Sequence, residues 1–244
     1  MTNSVEDLAA LIQSMQVTDL SPLIENGMPR WLTHPHAIVH QTVTHDHDGY
    51  YTQTLNIAEH TGSHIDAPAH IHPNMMDKSI DKAPPAHFLA QATLFDLRPF
   101  DLQPGQLGTV EMLEQCESKM SRPLSSGDIM LANFGWHERY WVTDKNWRFY
   151  SANCPGLTDG AVEWIANRNP IAVGADTVAF DTALLDGKEV QPSSAHLSYC
   201  LPREIYIIEC LANLGALPST FFFMSLPLKI KYGSGSPVRA IALH

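Results

Sequence analysis

Proline and glycine punctuate this chain so densely that its elements must be short. Seventeen prolines and fourteen glycines are spread over 244 residues, and each limits how far a helix or a central strand can run. Between them the pattern favours strands. From Ala37 to Glu59 β-branched and polar residues alternate, which predicts two strands joined by a turn around Asp46 to Gly49. Shorter strands are predicted at Thr93 to Leu97, Asp128 to Asn133, Ile171 to Val173, Ile205 to Ile208 and Val238 to Leu243. Helices are signalled over Glu111 to Lys119 and, behind a Thr158 cap, over Asp159 to Asn167.

At the start of the chain, Ser4 can cap a helix on which Leu8, Leu11, Ile12 and Met15 recur at helical spacing. Residues 1–16 therefore read as an amphipathic helix expected to pack on the body or on a partner subunit. Residues 17–244 show no internal repeat and are long enough to bury a substantial core, so they read as one mixed, strand-rich α/β domain.

Composition narrows the function classes. Hydrophobic residues make up 44% of the chain and charged residues 17%, which argues for a packed core over disorder. A formal net charge of -11 with only 15 scattered Lys and Arg disfavours both nucleic acid and an anionic membrane surface as partners. Residues 1–16 lack the basic start and apolar run of a secretory signal, and no apolar stretch approaches the length of a membrane span. Cys116, Cys154, Cys200 and Cys210 lie far apart with no C-x-x-C pair, so reduced, buried thiols and a cytoplasmic location are expected.

Chemistry concentrates in one segment, His60-Thr61-Gly62-Ser63-His64-Ile65-Asp66-Ala67-Pro68-Ala69-His70. The ligand-type residues at 60, 64, 66 and 70 share one parity, so an extended backbone would point all four to the same side. Gly62 and Pro68 make a helix unfavourable here. Two imidazoles and a carboxylate form a three-ligand face suited to Zn²⁺, Mn²⁺ or Fe²⁺, with positions left open for water and substrate. Gly62, having no side chain, would let backbone or substrate approach an ion closely.

The segment resembles the H-x-G-T-H-x-D-x-P-x-H motif of the cyclase-like metal hydrolases, a family that includes kynurenine formamidases and isatin hydrolases, with Ser63 in place of threonine. Further blocks follow in family order. They are Gly127-Asp128 with Leu131 and Gly135-Trp136, Pro155-Gly156-Leu157, Gly174-Ala175-Asp176-Thr177 with Asp181, His196, Ile207-Ile208-Glu209 with Asn213, and Gly235-Ser236-Pro237-Val238-Arg239. Phe134 stands where the family usually has a threonine before Gly-Trp.

The resemblance implies a swivelling β/β/α fold, a homo-oligomer (dimer or tetramer) and one or two divalent ions, Zn²⁺ or Mn²⁺. It implies that His60, His64 and Asp66 bind the first ion, and that His196 and Glu209 bind a second one shared through Asp66. Glu209 also stands out unaided, because a carboxylate ending the apolar run Ile205 to Ile208 must be paired, metal-bound or at a solvent-facing strand end. His70 is implied as a proton shuttle, which the near-neutral pKa of imidazole suits. Trp31, Phe134 and Trp136 are candidates for the substrate pocket or, alternatively, for the core.

The activity so implied is hydrolysis of a small cyclic or aryl amide. In that scheme the ion activates water and polarises the carbonyl, Asp66 orients the ion and its water, and His70 moves a proton to the leaving nitrogen. Cleavage of a lactone or ester on the same site, and a non-catalytic module with a structural ion, are the alternatives.

Overall fold

The computed structural model describes residues 4–244. Its centre is four strands that pair in parallel, Leu89–Asp96, Ile129–Asn133, Ala172–Ala175 and Tyr206–Glu209. Parallel strands need crossovers that cover both faces, and side-chain alternation feeds two apolar layers accordingly. Met130, Ala132, Val173 and Ile207 face a layer with Leu113, Val162 and Ile165 from the helices Val110–Glu117 and Asp159–Ala166. Ile129, Leu131 and Ile208 face the other layer, with Phe88 and Phe223.

Antiparallel strands extend this core on both sides into a nine-stranded sheet. Beyond Leu89–Asp96 lie Thr220–Met224, Ile241–Leu243 and Val17–Asp19. Beyond Tyr206–Glu209 lie His64–Asp66 and then Gly235–Pro237 at the edge. The sheet thus closes the chain on itself, its outer strands coming from residues near both ends.

The predicted elements are present within a few residues. The longest departure is the strand expected at Thr93, which begins at Leu89. Of the run expected over Val238 to Leu243 only Ile241–Leu243 is strand, and the preceding strand ends at Pro237. The Ala37 to Glu59 segment forms a two-stranded sheet of its own, Ile38–Val43 with Thr52–Asn56. Thr220–Met224 escaped sequence reading, because its phenylalanine run lacks the alternation that marks a half-buried strand.

The N-terminal helix is Val5–Ser14, closed by a Ser4–Asp7 capping box, and residues 1–3 of the expected span lie outside the described residues. Packing on the body is not found. No residue of the helix is buried, and Leu8 and Leu11 are each 57% exposed. Among the described residues no helix is long and apolar enough to cross a membrane, and the four cysteines are buried without disulfides.

Candidate metal centre and active site

The sheet register brings the chemistry together. Glu209 ends its strand directly opposite His64, and Ile207 opposes Asp66, so His64, Asp66 and Glu209 meet at the carboxyl end of the parallel core. In open α/β sheets that end is where ligands bind. Only His64–Asp66 of the motif is strand. The single-parity expectation therefore holds for His64 and Asp66 alone. His60 arrives by a turn through Gly62, and His70 ends the short 3₁₀ segment Pro68–His70 that Pro68 opens.

Gly62 has φ +62, and its carbonyl accepts from His64 Nδ1 at 2.8 Å. Its part in the site is to make that turn. Gly235 has a steric reason of its own, since a Cβ there would lie 2.6 Å from Cε1 of His60 and 2.5 Å from the Ile65 carbonyl. Ser63 is buried and donates to the carbonyls of Leu20 and Cys210, tying the turn to the body.

Each of three imidazoles is tethered by one nitrogen and presents the other to the carboxylates. His60 Nε2 reaches Ser234 Oγ at 2.8 Å, and Ser234 Oγ donates to Glu59 at 2.6 Å. His196 Nδ1 reaches Ser193 Oγ at 2.6 Å, and Ser193 Oγ donates to Asp181 at 2.6 Å. His64 Nδ1 is held by Gly62. Inward, His60 Nδ1 lies 2.6 Å from Asp66 Oδ1, His196 Nε2 3.1 Å from Asp66 Oδ2, and His64 Nε2 3.5 Å from Asp66 and 3.4 Å from Glu209. Glu209 Oε1 also accepts from the Phe180 backbone N–H.

The electrostatics describe a site built for positive charge. Burial alone would lower the His64 pKa, but a hydrogen bond to Glu209 and the charges of Asp66 and Glu209 push it up to about 9. His196 is driven well above its ordinary value against burial, chiefly by Asp181 and Asp66. Asp66, although buried, is held well below the usual carboxylate range by His60, His196 and His64. The donors form two sets with atoms within 4.8 Å of one another, His60–His64–Asp66 and Asp66–His196–Glu209, with Asp66 common to both. Imidazoles fixed by an outer partner, with a carboxylate between them, are a chemical fit for one or two divalent ions.

These groups line a cavity of about 330 Å³, which Trp31, His34 and His70 also wall. The ring of His70 lies 4.1 Å from that of His60, and burial pushes its pKa down to about 4. Trp31 is half-buried in the cavity wall.

Phe134 and Trp136 do not line the cavity. Trp136 packs with Tyr140 and Phe149 in the core, and Phe134 bridges two apolar clusters. Their backbone N–H groups explain the placement, because both donate to the buried Asp176, at 2.8 and 2.6 Å, and fold the loop back onto the body. Sequence reading missed the outer partners Glu59, Ser193 and Ser234. Ser193 lies three residues before His196 and Glu59 next to His60, but neither spacing by itself marks a relay, and Ser234 lies 174 residues from His60. Asp181 lay within a recognised block, but its contact with His196 was not foreseeable.

A wound α/β sheet with imidazoles and carboxylates closed around one cleft defines an α/β protein with a candidate divalent-metal site. The chain belongs to the cyclase family, whose model, described as a putative cyclase, matches residues 18–182. The chain is similar to an isatin hydrolase of Roseibium aggregatum, 26% identical over 221 residues that span 86% of this chain and 81% of that protein. Among solved structures it resembles isatin hydrolase A from Labrenzia aggregata bound to benzyl benzoate, with TM-score 0.86, 26% identity and 99% of each chain covered. It also resembles isatin hydrolase A from Ralstonia solanacearum, with TM-score 0.80, 27% identity, and 100% of this chain and 98% of that one covered.

Proposed function

We propose that this protein is a metal-dependent hydrolase that cleaves the C–N bond of a small cyclic or aryl amide. The observation that carries the reading is the set of three outward-tethered imidazoles, His60, His64 and His196, whose free nitrogens converge on Asp66 and Glu209. Its likeness to isatin hydrolases supports the substrate class. His60, His64 and Asp66 would hold one Zn²⁺ or Mn²⁺, and Asp66, His196 and Glu209 would hold a second or complete the first site. Such an ion supplies Lewis-acid polarisation of the carbonyl and a lowered pKa for bound water.

The chain's own groups do the rest. Trp31 offers a flat apolar face against which an aryl ring stacks. Asp66 and Glu209 orient the attacking water. His70, kept neutral at pH 7 by burial, accepts a proton from that water as the new C–O bond forms. It returns the proton to the nitrogen as the C–N bond breaks, giving a carboxylate and an amine. The domain with this chemistry is residues 17–244. The exposed apolar face of Val5–Ser14 supports a homo-oligomer, dimer or tetramer, measurable by light scattering. The four buried free thiols support a cytoplasmic location.

The test is His70→Ala on a matched anilide and activated aryl ester. The variant is expected to keep its metal and to lose kcat on the anilide by about a hundredfold to ten-thousandfold. The loss on the ester is expected to be smaller, because a phenolate departs without a proton. Equal losses on the two substrates would overturn the assignment.

A further inference from the structure

The cavity wall has a second imidazole that the proposed reaction leaves unused. Of the five histidines lining the cavity, His60, His64 and His196 are tethered to outer partners, whereas the rings of His70 and His34 make no hydrogen bond among the described residues. His70 has the proton-transfer role. His34 has none, yet its ring lies 5.5 Å from that of His60, within one functional group of the reacting centre.

The loop that presents His34 is braced without help from the ring. The Arg30 N–H donates to Ser151 Oγ at 3.1 Å, and the Arg30 guanidinium donates to the carbonyls of Trp31 and Leu32 at 3.0 and 2.5 Å. The His34 N–H closes the turn on the Trp31 carbonyl at 3.0 Å. The imidazole is therefore not needed to fold the loop. Placed beside Trp31, Val178, Ala179 and Leu197, a polar ring with no internal partner is costly unless something in the cavity pairs with it.

Which end pairs follows from burial. Nδ1 is sealed from solvent and has no partner, so of the two nitrogens of this cavity-lining ring Nε2 is the one left open to a ligand. An orphaned buried lone pair costs less than an orphaned N–H, so the neutral ring places its proton on Nε2 and faces the cavity as a donor. Resting on the amide-hydrolase reading, we propose that His34 is a specificity-determining residue whose Nε2–H donates to a second acceptor of the substrate, a carbonyl adjacent to the scissile amide. Asp66, Glu209 and His70 act on the bond that breaks, and His34 reads its neighbour.

The experiment compares 2-formamidoacetophenone, which has an acyl oxygen beside the amide, with formanilide, which lacks it. The proteins are metal-loaded wild type, His34→Phe and His34→Gln, with metal content and Tm recorded for each. In His34→Phe, kcat/KM for the acyl substrate is expected to fall about tenfold or more, with less than about a twofold change for formanilide, as befits loss of one substrate hydrogen bond. His34→Gln, which keeps a donor, is expected to recover part of the preference at unchanged metal content. Equal losses on both substrates, no loss on either, or loss of metal would each overturn the proposal. If wild type hydrolyses neither compound, the amide reading fails by itself. The role of His34 is then read from equilibrium binding of 2-aminoacetophenone against aniline. A preference lost in His34→Phe supports it, and a preference that is absent or unchanged overturns it.

Discussion

The two halves of the candidate metal site are assembled differently. His60, His64 and Asp66 come from seven consecutive residues, fixed by one tight turn and three residues of strand. His196 and Glu209 come from separate segments, one on the turn Ala195–Tyr199 and one at the end of a parallel strand. Glu209 reaches the site because the sheet pairs Tyr206–Glu209 with His64–Asp66, and His196 reaches Asp66 across 130 residues of chain. The near half is thus specified by local geometry and the far half by global topology. Both use the same outer device, a serine hydroxyl relaying an imidazole to a buried or half-buried carboxylate, Ser234 to Glu59 and Ser193 to Asp181.

Substitutions at the centre of each half sharpen this contrast most. His64→Ala is expected to lose its ion and to drop activity to background, because the near half keeps no three-donor set without it. His196→Ala and Glu209→Ala are expected to behave alike, each losing the metal that the far half holds while the near half keeps its own. Metal stoichiometry and turnover on the three variants check this. If both far-half variants keep the wild-type metal count and rate, that half holds no ion.

The serine relays give a smaller effect. Ser193→Ala and Ser234→Ala each free one imidazole to rotate, and outer partners of metal ligands are typically worth about 10–100-fold in metal affinity. A competition titration against a chelator measures both. Similar losses are expected, and a loss confined to Ser234→Ala would break the equivalence of the halves.

Protons compete with metal at the same nitrogens, which sets a pH signature. An imidazole titrates near 6.5 when unfolded, whereas the carboxylates push His64 up to about 9 and raise His196 in the same direction. Stability from the protonated rings is fully present below about 6.5 and is lost as pH rises through about 9. His70 and His137, which burial pushes down to about 4, titrate below this window. Chelated protein is therefore expected to lose Tm between pH 6.5 and 9, on the order of 2–4 °C per kcal/mol for a chain this size. Metal-loaded protein should not, because binding releases those protons. Parallel melting curves at several pH values would show it, and a flat curve for the chelated protein would count against the paired cluster.

The same contrast explains what the sequence could and could not reveal. The near half was legible because its residues lie within one local pattern, although the shared parity was right only for the strand residues His64 and Asp66. Glu209 was visible as a carboxylate ending an apolar strand, and His196 only through family resemblance. Whether Phe134 and Trp136 lie in the pocket or the core could not be read, because their position depends on Asp176, some forty residues along the chain. The outer partners Glu59, Ser193 and Ser234 were not read, since Glu59 and Ser193 sit one and three residues from their histidines at spacings that carry no relay signal by themselves, and Ser234 reaches His60 only once Gly235–Pro237 has paired with His64–Asp66. The four parallel strands and the helices Val110–Glu117 and Asp159–Ala166 followed from pattern and caps, whereas the helix Trp147–Ala152 did not. The order of the nine-stranded sheet did not, because pairing between distant short strands leaves no local trace.

The central claim is that the cluster around Asp66 is a divalent-metal centre on which hydrolysis depends. Metal analysis of purified protein, with turnover of an aryl amide measured before chelation, after it and after addition of Zn²⁺ or Mn²⁺, tests it most directly. Bound metal in the purified protein, loss of turnover on its removal and recovery on its return are the predicted results. Full turnover in protein shown to be free of metal would contradict the account.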